Sequence, residues 1–267
     1  MENGKIVYYG ISMKHFGNLM IKNHGYRQYD PLTDIDKPVF FEGLYFPDDY
    51  RVLIRHQGDR IIFWNGTDLR NMLNVYGWRL ILEETPARHY CHCSVDRDLL
   101  LKAGIQATVR PFFFGNISKY QISYIRSDTP SVYLNAHPGR ETEYNIPLAL
   151  EVAADMPEIR FHFYGITGTD TDNTFYHGWI DEDTMDEQIA KFQGCLKLPN
   201  DPRASQTMIK SALMAQYPIA INFLEGVWYG PDKASIIRYL NLLKEQVEPN
   251  LRLREQYLTI FGNQGDF

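Results

Sequence analysis

The chain has 267 residues, of which 44% are hydrophobic and 22% charged, as in an ordinary globular protein of one large or two modest domains. Its formal net charge of −6 argues against a general polyanion-binding protein but leaves room for a local basic pocket. No apolar run is long enough to cross a bilayer, and the first residues lack the basic and apolar regions of a signal peptide. We therefore expect a cytoplasmic protein without integral membrane contact.

The three cysteines, Cys91, Cys93 and Cys195, are best interpreted as reduced thiols. Cys91 and Cys93 lie two residues apart within "HYCHC", a pattern that could also contribute to a zinc site. Because the sequence has no second Cys/His cluster to complete four ligands, a buried strand with small thiols is the favoured interpretation. We expect no metal and no bound cofactor.

The first half alternates strand and helix patterns. "ISMKHFGN", with Ser12, His15 and Gly17, is predicted as a loop leading into a helix, and "PDDYRVLIRHQ" as a helix that begins at a proline. Ser94 is predicted to cap the amphipathic helix "VDRDLLLKAG", which Gly104 ends. This alternation predicts a parallel sheet covered on both faces. The predicted strands are "KIVYYG", "PVFFEGL", "RIIFW", "WRLILEE", "ARHYCHCS" and "QATVRPFFFG".

The pattern restarts near Lys119, so we predict a second βα unit of similar size. Its predicted strands are "SVYLNAHP", "IRFHFYG", "NTFYHGWI", "GCLKLPN" and "YPIAINF". Its predicted helices are "NIPLALEVAADMP", "DEDTMDEQIAKFQ", "ASQTMIKSALMAQ", "GPDKASIIRYLNLLKEQ" and "NLRLREQYLTIFG". The predicted domains are 1–118 and 119–267, two Rossmann-like units that face each other across a cleft.

Polar loops follow these strands, where open α/β sheets bind ligands. They combine cations, hydroxyls and glycine-rich backbone, a mixture that suits a phosphorylated ligand. The sequence lacks G-x-G-x-x-G after the first strand, the P-loop motif and G-x-S-x-G. The loops contribute His15, Asn65, Thr67, Asp68, His137, Arg140, Lys197, Asp201, Arg203, Ser205, Gln206 and Lys210.

Each of these residues also has a simpler interpretation, and the sequence leaves both open. Arg140 could pair in solvent with Glu141 or Glu143. His137 could hold a turn, and Ser205 could do no more than cap a helix.

Several motifs of the second half carry a family resemblance. The stretches concerned are "SVYLNAHPGRETEYNIPLALEVA", "FHFYG", "NTFYHGWIDEDTM" and "CLKLPNDPRASQTMIKSALMAQYPIA". They resemble the GT-B glycosyltransferases, in particular the large retaining group with a "glycosyl transferases group one" domain (family four-like). The resemblance spans most of residues 60–245 and implies a nucleotide-sugar-dependent transferase with a short acceptor domain, acting with retention and without metal.

The resemblance also implies roles for individual residues. Arg140 and Lys197 would contact the donor diphosphate, Gly139 would let the backbone approach it, and the backbone at Trp179 and Ile180 would hold the base. The remaining donor-side residues would be His137, Asp201, Ser205, Gln206, Thr207 and Lys210. From the acceptor domain, Asp68 and His15 would face the donor sugar as catalytic residues, although a helix cap and a surface histidine are simpler interpretations.

The sequence departs from the family where many members carry two glutamates seven residues apart. Here Asp201 or Arg203 stands near the first place and Lys210 near the second. A non-catalytic module that binds a nucleotide sugar or glycan is therefore an alternative, and a GT-B-type epimerase is disfavoured by the short first domain. The acceptor could be a glycan, a protein or a modified viral DNA base. The sequence leaves open whether the chain forms a homo-oligomer.

Overall fold

The computed structural model describes residues 4–262, and these form two compact units. Unit 1 ends at Asn116 and unit 2 begins at Ile117. The predicted division lay between residues 118 and 119, and the outermost parts of both predicted domains, 1–3 and 263–267, lie outside the described residues. No helix within residues 4–262 combines the length and the apolar run that a membrane crossing requires.

Unit 1 contains a six-stranded sheet in the order β2-β1-β3-β4-β5-β6, and all of its strand pairs are parallel. Helices cover both faces, so the central strand β3 is buried at all four positions. The strands are β1 (Lys5–Tyr8), β2 (Tyr26–Gln28), β3 (Val39–Glu42), β4 (Arg60–Trp64), β5 (Arg88–Cys91) and β6 (Ala107–Val109). The helices are α1 (Lys14–His24), α2 (Pro47–Arg55), α3 (Thr67–Asn74), α4 (Tyr76–Glu84) and α5 (Ser94–Lys102).

Three local predictions for unit 1 are wrong, and one strand was not predicted. "WRLILEE" is helix α4 rather than a strand, because Trp78, Ile81 and Leu82 have helical spacing and pack on the core beneath the sheet. The three-residue edge strand β2 was missed, since it buries one side chain and shows no alternation. Cys93, not Ser94, precedes α5 as its N-cap residue. His15 and Gly17 lie inside helix α1 and not in a loop.

Unit 2 repeats the architecture with a second six-stranded parallel sheet, in the order β12-β11-β10-β7-β8-β9. The two-residue edge strand β12 was not predicted. The strands are β7 (Ser131–Asn135), β8 (Arg160–Tyr164), β9 (Thr174–Gly178), β10 (Gly194–Lys197), β11 (Ile219–Ala220) and β12 (Trp228–Tyr229). The helices are α6 (Ile146–Asp155), α7 (Glu182–Ile189), α8 (Gln206–Leu213), α9 (Lys233–Glu245) and α10 (Leu251–Phe261).

The order of strands defines one switch point in each sheet. In unit 2 the chain runs outward from β7 through β8 and β9, then returns to add β10 on the other side of β7. In unit 1 the equivalent reversal lies between β1 and β3. Loops that leave neighbouring strands at such a reversal diverge onto opposite faces of the sheet, which opens a crevice at the carboxyl ends of the strands.

Candidate functional site

The loops after β7 and β10 border the switch point of unit 2. The first carries His137, Gly139 and Arg140, and the second begins at Lys197 and includes Asp201. The two strands are hydrogen-bonded neighbours, so these loops leave the same edge of the sheet side by side. The sequence-predicted phosphate-binding residues therefore lie at the position where open α/β sheets bind ligands.

Lys197 is the last residue of β10, and its side chain is buried. Burial lowers its pKa to about 8, although the charge of Asp201 acts in the opposite direction. Its ammonium donates a hydrogen bond to the backbone carbonyl of Asp201. A buried ammonium with remaining donors is expensive to desolvate, and an anion that approached it would be held strongly.

Asp201 fixes the shape of the loop that follows Lys197. Its carboxylate accepts hydrogen bonds from Arg203 Nε at 2.8 Å and from the backbone N–H of Arg203 at 3.0 Å. Its own N–H donates to Asn222 Oδ1 at 3.0 Å, which ties the loop to the segment after β11. Burial raises the pKa of Asp201, but the contacts with Arg203 outweigh it and the net pKa is lowered. The carboxylate is therefore occupied in shaping the loop.

Arg140 is exposed and pairs with Glu143, with its Nη2 2.6 Å from Oε2. This contact corresponds to the simpler interpretation of Arg140. Both side chains are more than half exposed, so the pair contributes little to stability and an anionic ligand can replace Glu143. Gly139 precedes it with φ of +76°, a backbone conformation that favours glycine.

Three aromatic rings gather beside Arg140. The His137 ring lies 5.6 Å from that of Tyr144 and 6.4 Å from that of Trp179, which is 70% exposed. The guanidinium of Arg140 lies 5.6 Å from the centre of the Tyr144 ring. Partial shielding from water lowers the pKa of His137, and the charge of Arg140 acts in the same direction. The loops after β7 and β9 thus present a neutral imidazole and an exposed indole next to a cation.

Helix α8 starts directly after the loop that follows β10. Ser205 caps it by accepting a hydrogen bond from the N–H of Met208 at 3.2 Å, so the capping interpretation of Ser205 is correct. Gln206 and Thr207 form the first turn, and the Thr207 carbonyl accepts a hydrogen bond from the Tyr133 hydroxyl. The helix N-terminus adds partial positive charge to the same edge of the sheet.

Lys210 lies one turn further along α8, where it belongs to a buried ion-pair cluster. Its side chain is buried, and Nζ donates to Glu182 at 2.9 Å and to Asp186 at 2.6 Å. The Tyr120 hydroxyl completes the cluster with a 2.8 Å hydrogen bond to Asp186. Because two carboxylates from α7 already neutralise this ammonium, its role is to join α7 to α8.

The carboxyl edge of the unit 1 sheet has a different chemistry. Asp68 is fully buried, and its Oδ1 accepts the N–H groups of Asn65 at 2.9 Å and Leu69 at 2.8 Å. The carboxylate is buried where it supports the start of α3, and its contact with a sugar stays a prediction. The other predicted catalytic residue, His15, is exposed on α1 with its ring against Phe16.

Glu42 and His92, which were not predicted as ligand-binding residues, complete this edge. Glu42, at the end of β3, accepts a hydrogen bond from Asn65 Nδ2 at 2.8 Å, and Asn65 Oδ1 lies 3.1 Å from His92 Nε2. Burial raises the pKa of Glu42 well above its ordinary value, the charge of Asp68 adds to the rise, and the Asn65 hydrogen bond only partly opposes it. Burial therefore favours the protonated form of Glu42, and its hydrogen bond orients Asn65. The signal that could have identified both residues is their place at the ends of predicted strands.

A surface depression of about 660 Å³ lies elsewhere in unit 1. Asp36, Asp59, Arg60 and Arg88 line it. These residues precede β3, β4 and β5 or begin them, so the depression lies at the amino ends of the strands, opposite the edge that carries Glu42. Its position disfavours it as the ligand site of this sheet.

Comparison with known proteins identifies the fold. No protein family model and no curated protein sequence matches the chain. Anabaena Alr3699/HepE in complex with UDP and glucose is 8% identical, with 97% of this chain and 96% of that chain covered and a TM-score of 0.66. An α-glucosyltransferase in complex with UDP and a 13-mer DNA containing an HMU base is 9% identical, with 96% and 94% covered and a TM-score of 0.63.

A third match is partial. The GtfA/B complex is 11% identical over 85% of this chain with a TM-score of 0.55, and the chain spans 54% of the length of the chain it matches there. The chain has the GT-B fold. The fold predicted from the sequence motifs is therefore confirmed, with both GT-B units present as six-stranded parallel sheets.

Within this GT-B fold, the structure sorts the predicted site residues into two groups. It brings His137, Arg140 and Trp179 together at one side of the unit 2 switch point, and Lys197 and Asp201 at the other. Burial raises the pKa of Tyr144, the charge of Arg140 opposes this rise, and the charges of Glu143 and Asp201 add to it. The second group, Asp68, His15 and Lys210, lies in buried networks or on an exposed helix face.

Proposed function

We propose that the chain is a glycosyltransferase that binds a nucleoside diphosphate sugar at the switch point of unit 2. The observation that carries the proposal is that a buried lysine, Lys197, ends β10 and an exposed arginine, Arg140, follows the neighbouring strand β7, so both lie at the carboxyl edge of a parallel sheet. Two cations of this kind complement a diphosphate, and the α8 N-terminus adds N–H donors beside them. The two GT-B structures that match along nearly their whole length were both solved with UDP, which supports a uridine nucleotide.

The chemistry assigned to this site is stabilisation of the leaving group. When the bond between the anomeric carbon and the β-phosphate oxygen breaks, its electron pair remains on the diphosphate, where Arg140 and Lys197 neutralise the developing charge. The acceptor hydroxyl forms the new bond to the anomeric carbon and gives its proton to the departing phosphate. Trp179 and His137 offer a flat surface for the base.

Retention of configuration and metal independence are part of the proposal through the family resemblance. Proton NMR of the anomeric centre in the first product tests the stereochemistry. Activity measured with and without EDTA tests the metal independence. The acceptor is proposed as a hydroxyl group of a glycan, a protein or a modified base.

The decisive experiment measures UDP binding by calorimetry for the wild-type chain and for Arg140→Ala. Loss of a charged hydrogen bond to phosphate is expected to weaken binding by roughly 1.5 to 3 kcal/mol, about 10- to 150-fold. Arg252→Ala is the matched control, since Arg252 is exposed on α10 of the same unit, and it should leave the affinity unchanged. An unchanged affinity in Arg140→Ala would refute the site.

A second readout separates an enzyme from a binding module. Slow release of free sugar from a UDP-sugar by the wild-type chain supports a transferase, because many transferases hydrolyse their donor when no acceptor is present. Stable binding with no release of sugar, even with candidate acceptors added, would favour the non-catalytic module. Absence of binding to any nucleotide sugar in a panel of UDP, GDP, ADP and dTDP derivatives would refute both.

A further inference from the structure

Two exposed aromatic side chains lie at the β11–β12 side of the unit 2 sheet, and neither belongs to the predicted site. Phe223 is 74% exposed and Tyr229 is 43% exposed. Their rings meet edge to face with centroids 6.2 Å apart. Large rings are expensive to leave in water, so a preformed exposed pair beside a polar crevice indicates a ligand surface. We call Phe223 and Tyr229 the aromatic ledge.

The strand register places the ledge in line with Lys197. Lys197 pairs with Ala220, and Ala220 pairs with Tyr229, so the three residues form one row across β10, β11 and β12. Residues of one row point to the same face, and the row spans about 10 Å. Trp228 points to the other face, where its ring stacks on Tyr239. Since Ala220 carries only a methyl group, no large side chain from this row stands between the lysine and the ledge.

Asn222 couples the ledge to the loop of the candidate site. Its Oδ1 accepts the N–H of Asp201 at 3.0 Å, and its Nδ2 donates to Asn200 Oδ1 at 3.0 Å. Phe223 is the next residue in the chain, so its position is fixed relative to the loop that follows Lys197. The ledge therefore has amide groups directly beside an apolar ring surface.

The order of groups along the carboxyl edge gives the ligand a direction. Trp179 follows β9, Arg140 follows β7, Lys197 ends β10, and the ledge follows β11 and ends β12. Aromatic surfaces thus lie on both sides of a cationic centre. A nucleoside diphosphate sugar has the same order, because two ring systems flank its two phosphates.

Resting on the function proposed above, we propose that Phe223 and Tyr229 bind the sugar of the donor by contact with the apolar C–H face of a pyranose. A sugar needs an apolar surface for one face and hydrogen-bonding groups for its rim, and Asn200 and Asn222 supply amides next to Phe223. Trp179 has the larger flat surface and stands beside His137, which suits the base. The ledge thus discriminates between nucleotide sugars and the bare nucleotide.

The experiment compares the affinity of each variant for UDP-sugars with its affinity for UDP. The quantity measured is the ratio of the affinity for a UDP-sugar to the affinity for UDP. It is first determined in the wild-type chain for UDP-glucose, UDP-galactose and UDP-N-acetylglucosamine, and the UDP-sugar with the highest ratio is then used with the variants. Phe223→Ala and Tyr229→Ala should each lower that ratio by about fivefold to tenfold while the affinity for UDP stays constant. Phe223→Tyr, which keeps a ring, should retain it.

The controls separate this proposal from the proposed function. Tyr76→Ala removes an aromatic side chain that is 72% exposed in unit 1, and it should change neither affinity. Arg140→Ala should weaken UDP and UDP-sugar together. An unchanged ratio in both ledge variants, or equal weakening of UDP and UDP-sugar, would overturn the ledge assignment while the nucleotide site stands. Failure of the wild-type chain to bind any nucleotide sugar of the UDP, GDP, ADP and dTDP panel would overturn the nucleotide site and the ledge assignment with it.

Discussion

The carboxyl edges of the two sheets share a topology and differ in charge. At the unit 2 edge, Arg140 and Lys197 are cations, and exposed rings flank them. At the unit 1 edge, Glu42 and Asp68 are buried acids that hydrogen-bond to Asn65. The same order of parallel strands thus produces a cationic edge in one unit and an edge of buried carboxyl groups in the other. The topology fixes where a ligand can bind, and the side chains decide which ligand it is.

The two edges also differ in the contacts of the protein that a bound ligand would have to replace. The Arg140–Glu143 pair is exposed and easily replaced. The Glu42–Asn65–His92 network joins a buried carboxyl group to two half-buried side chains, so a ligand that opened it would have to replace these hydrogen bonds. Anionic ligands are therefore expected at unit 2 and not at unit 1.

The largest expected effect comes from a substitution at Gly165, which packs against the start of the loop after β7. Gly165, after β8, has φ of +82°, and a Cβ there would lie 2.0 Å from the Ala136 carbonyl oxygen, just before His137. Gly165→Ala should lower the free energy of unfolding by about 2–5 kcal/mol, from left-handed strain and steric overlap. Urea denaturation measures this, and UDP binding should fall with it. Gly139→Ala is the control, since φ is +76° but the space is open, and it should cost about 1–2 kcal/mol.

The second prediction concerns Glu42, the buried acid at the end of β3. The folded-state pKa of Glu42 is raised, so its stabilising contribution is complete below the unfolded pKa and is lost as pH rises through the folded pKa. Glu42→Gln keeps the acceptor for Asn65 and should remove this decline from the stability profile. Glu42→Ala leaves the amide unpaired and should be about 1–3 kcal/mol less stable than Glu42→Gln at every pH. Denaturation between pH 4.5 and 9 checks both, and identical slopes for the wild type and Glu42→Gln would show that the acid is ionised.

The smallest expected effect concerns the charge of Lys197 at the unit 2 edge. The pKa of Lys197 is lowered to about 8, so the ammonium is present at pH 7 and largely lost at pH 9. UDP affinity should therefore fall by about tenfold between these two values. Lys197→Met should bind UDP more weakly at pH 7, and its UDP affinity should change little between pH 7 and pH 9. Any change that remains in the variant measures the titration of the nucleotide and is subtracted from the wild-type profile. A wild-type profile as flat as that of the variant would mean that Lys197 does not contact the phosphates.

Much of the fold followed from the sequence because its signals are local. Strands such as "SVYLN" and "RFHFY" are apolar runs bounded by turn residues, and Ser205 precedes α8 as a cap should. The errors fall where the local signal is short or shared. Helix α4 has enough apolar residues to suggest a strand, and the edge strands β2 and β12 are three and two residues long.

Local patterns in the sequence were sufficient to predict two parallel α/β units, the polar loops after their strands and a resemblance to GT-B enzymes. Which polar residues of those loops are accessible depends on the tertiary structure. Lys210 meets Glu182 and Asp186, 28 and 24 residues away along the chain, and Asn65 meets Glu42 across 23 residues. Partners at such separations leave no periodic trace in the chain, because charge compensation and burial depend on which elements pack together. The physical reason is that a side chain becomes a binding group only where folding leaves its charge or its ring uncompensated.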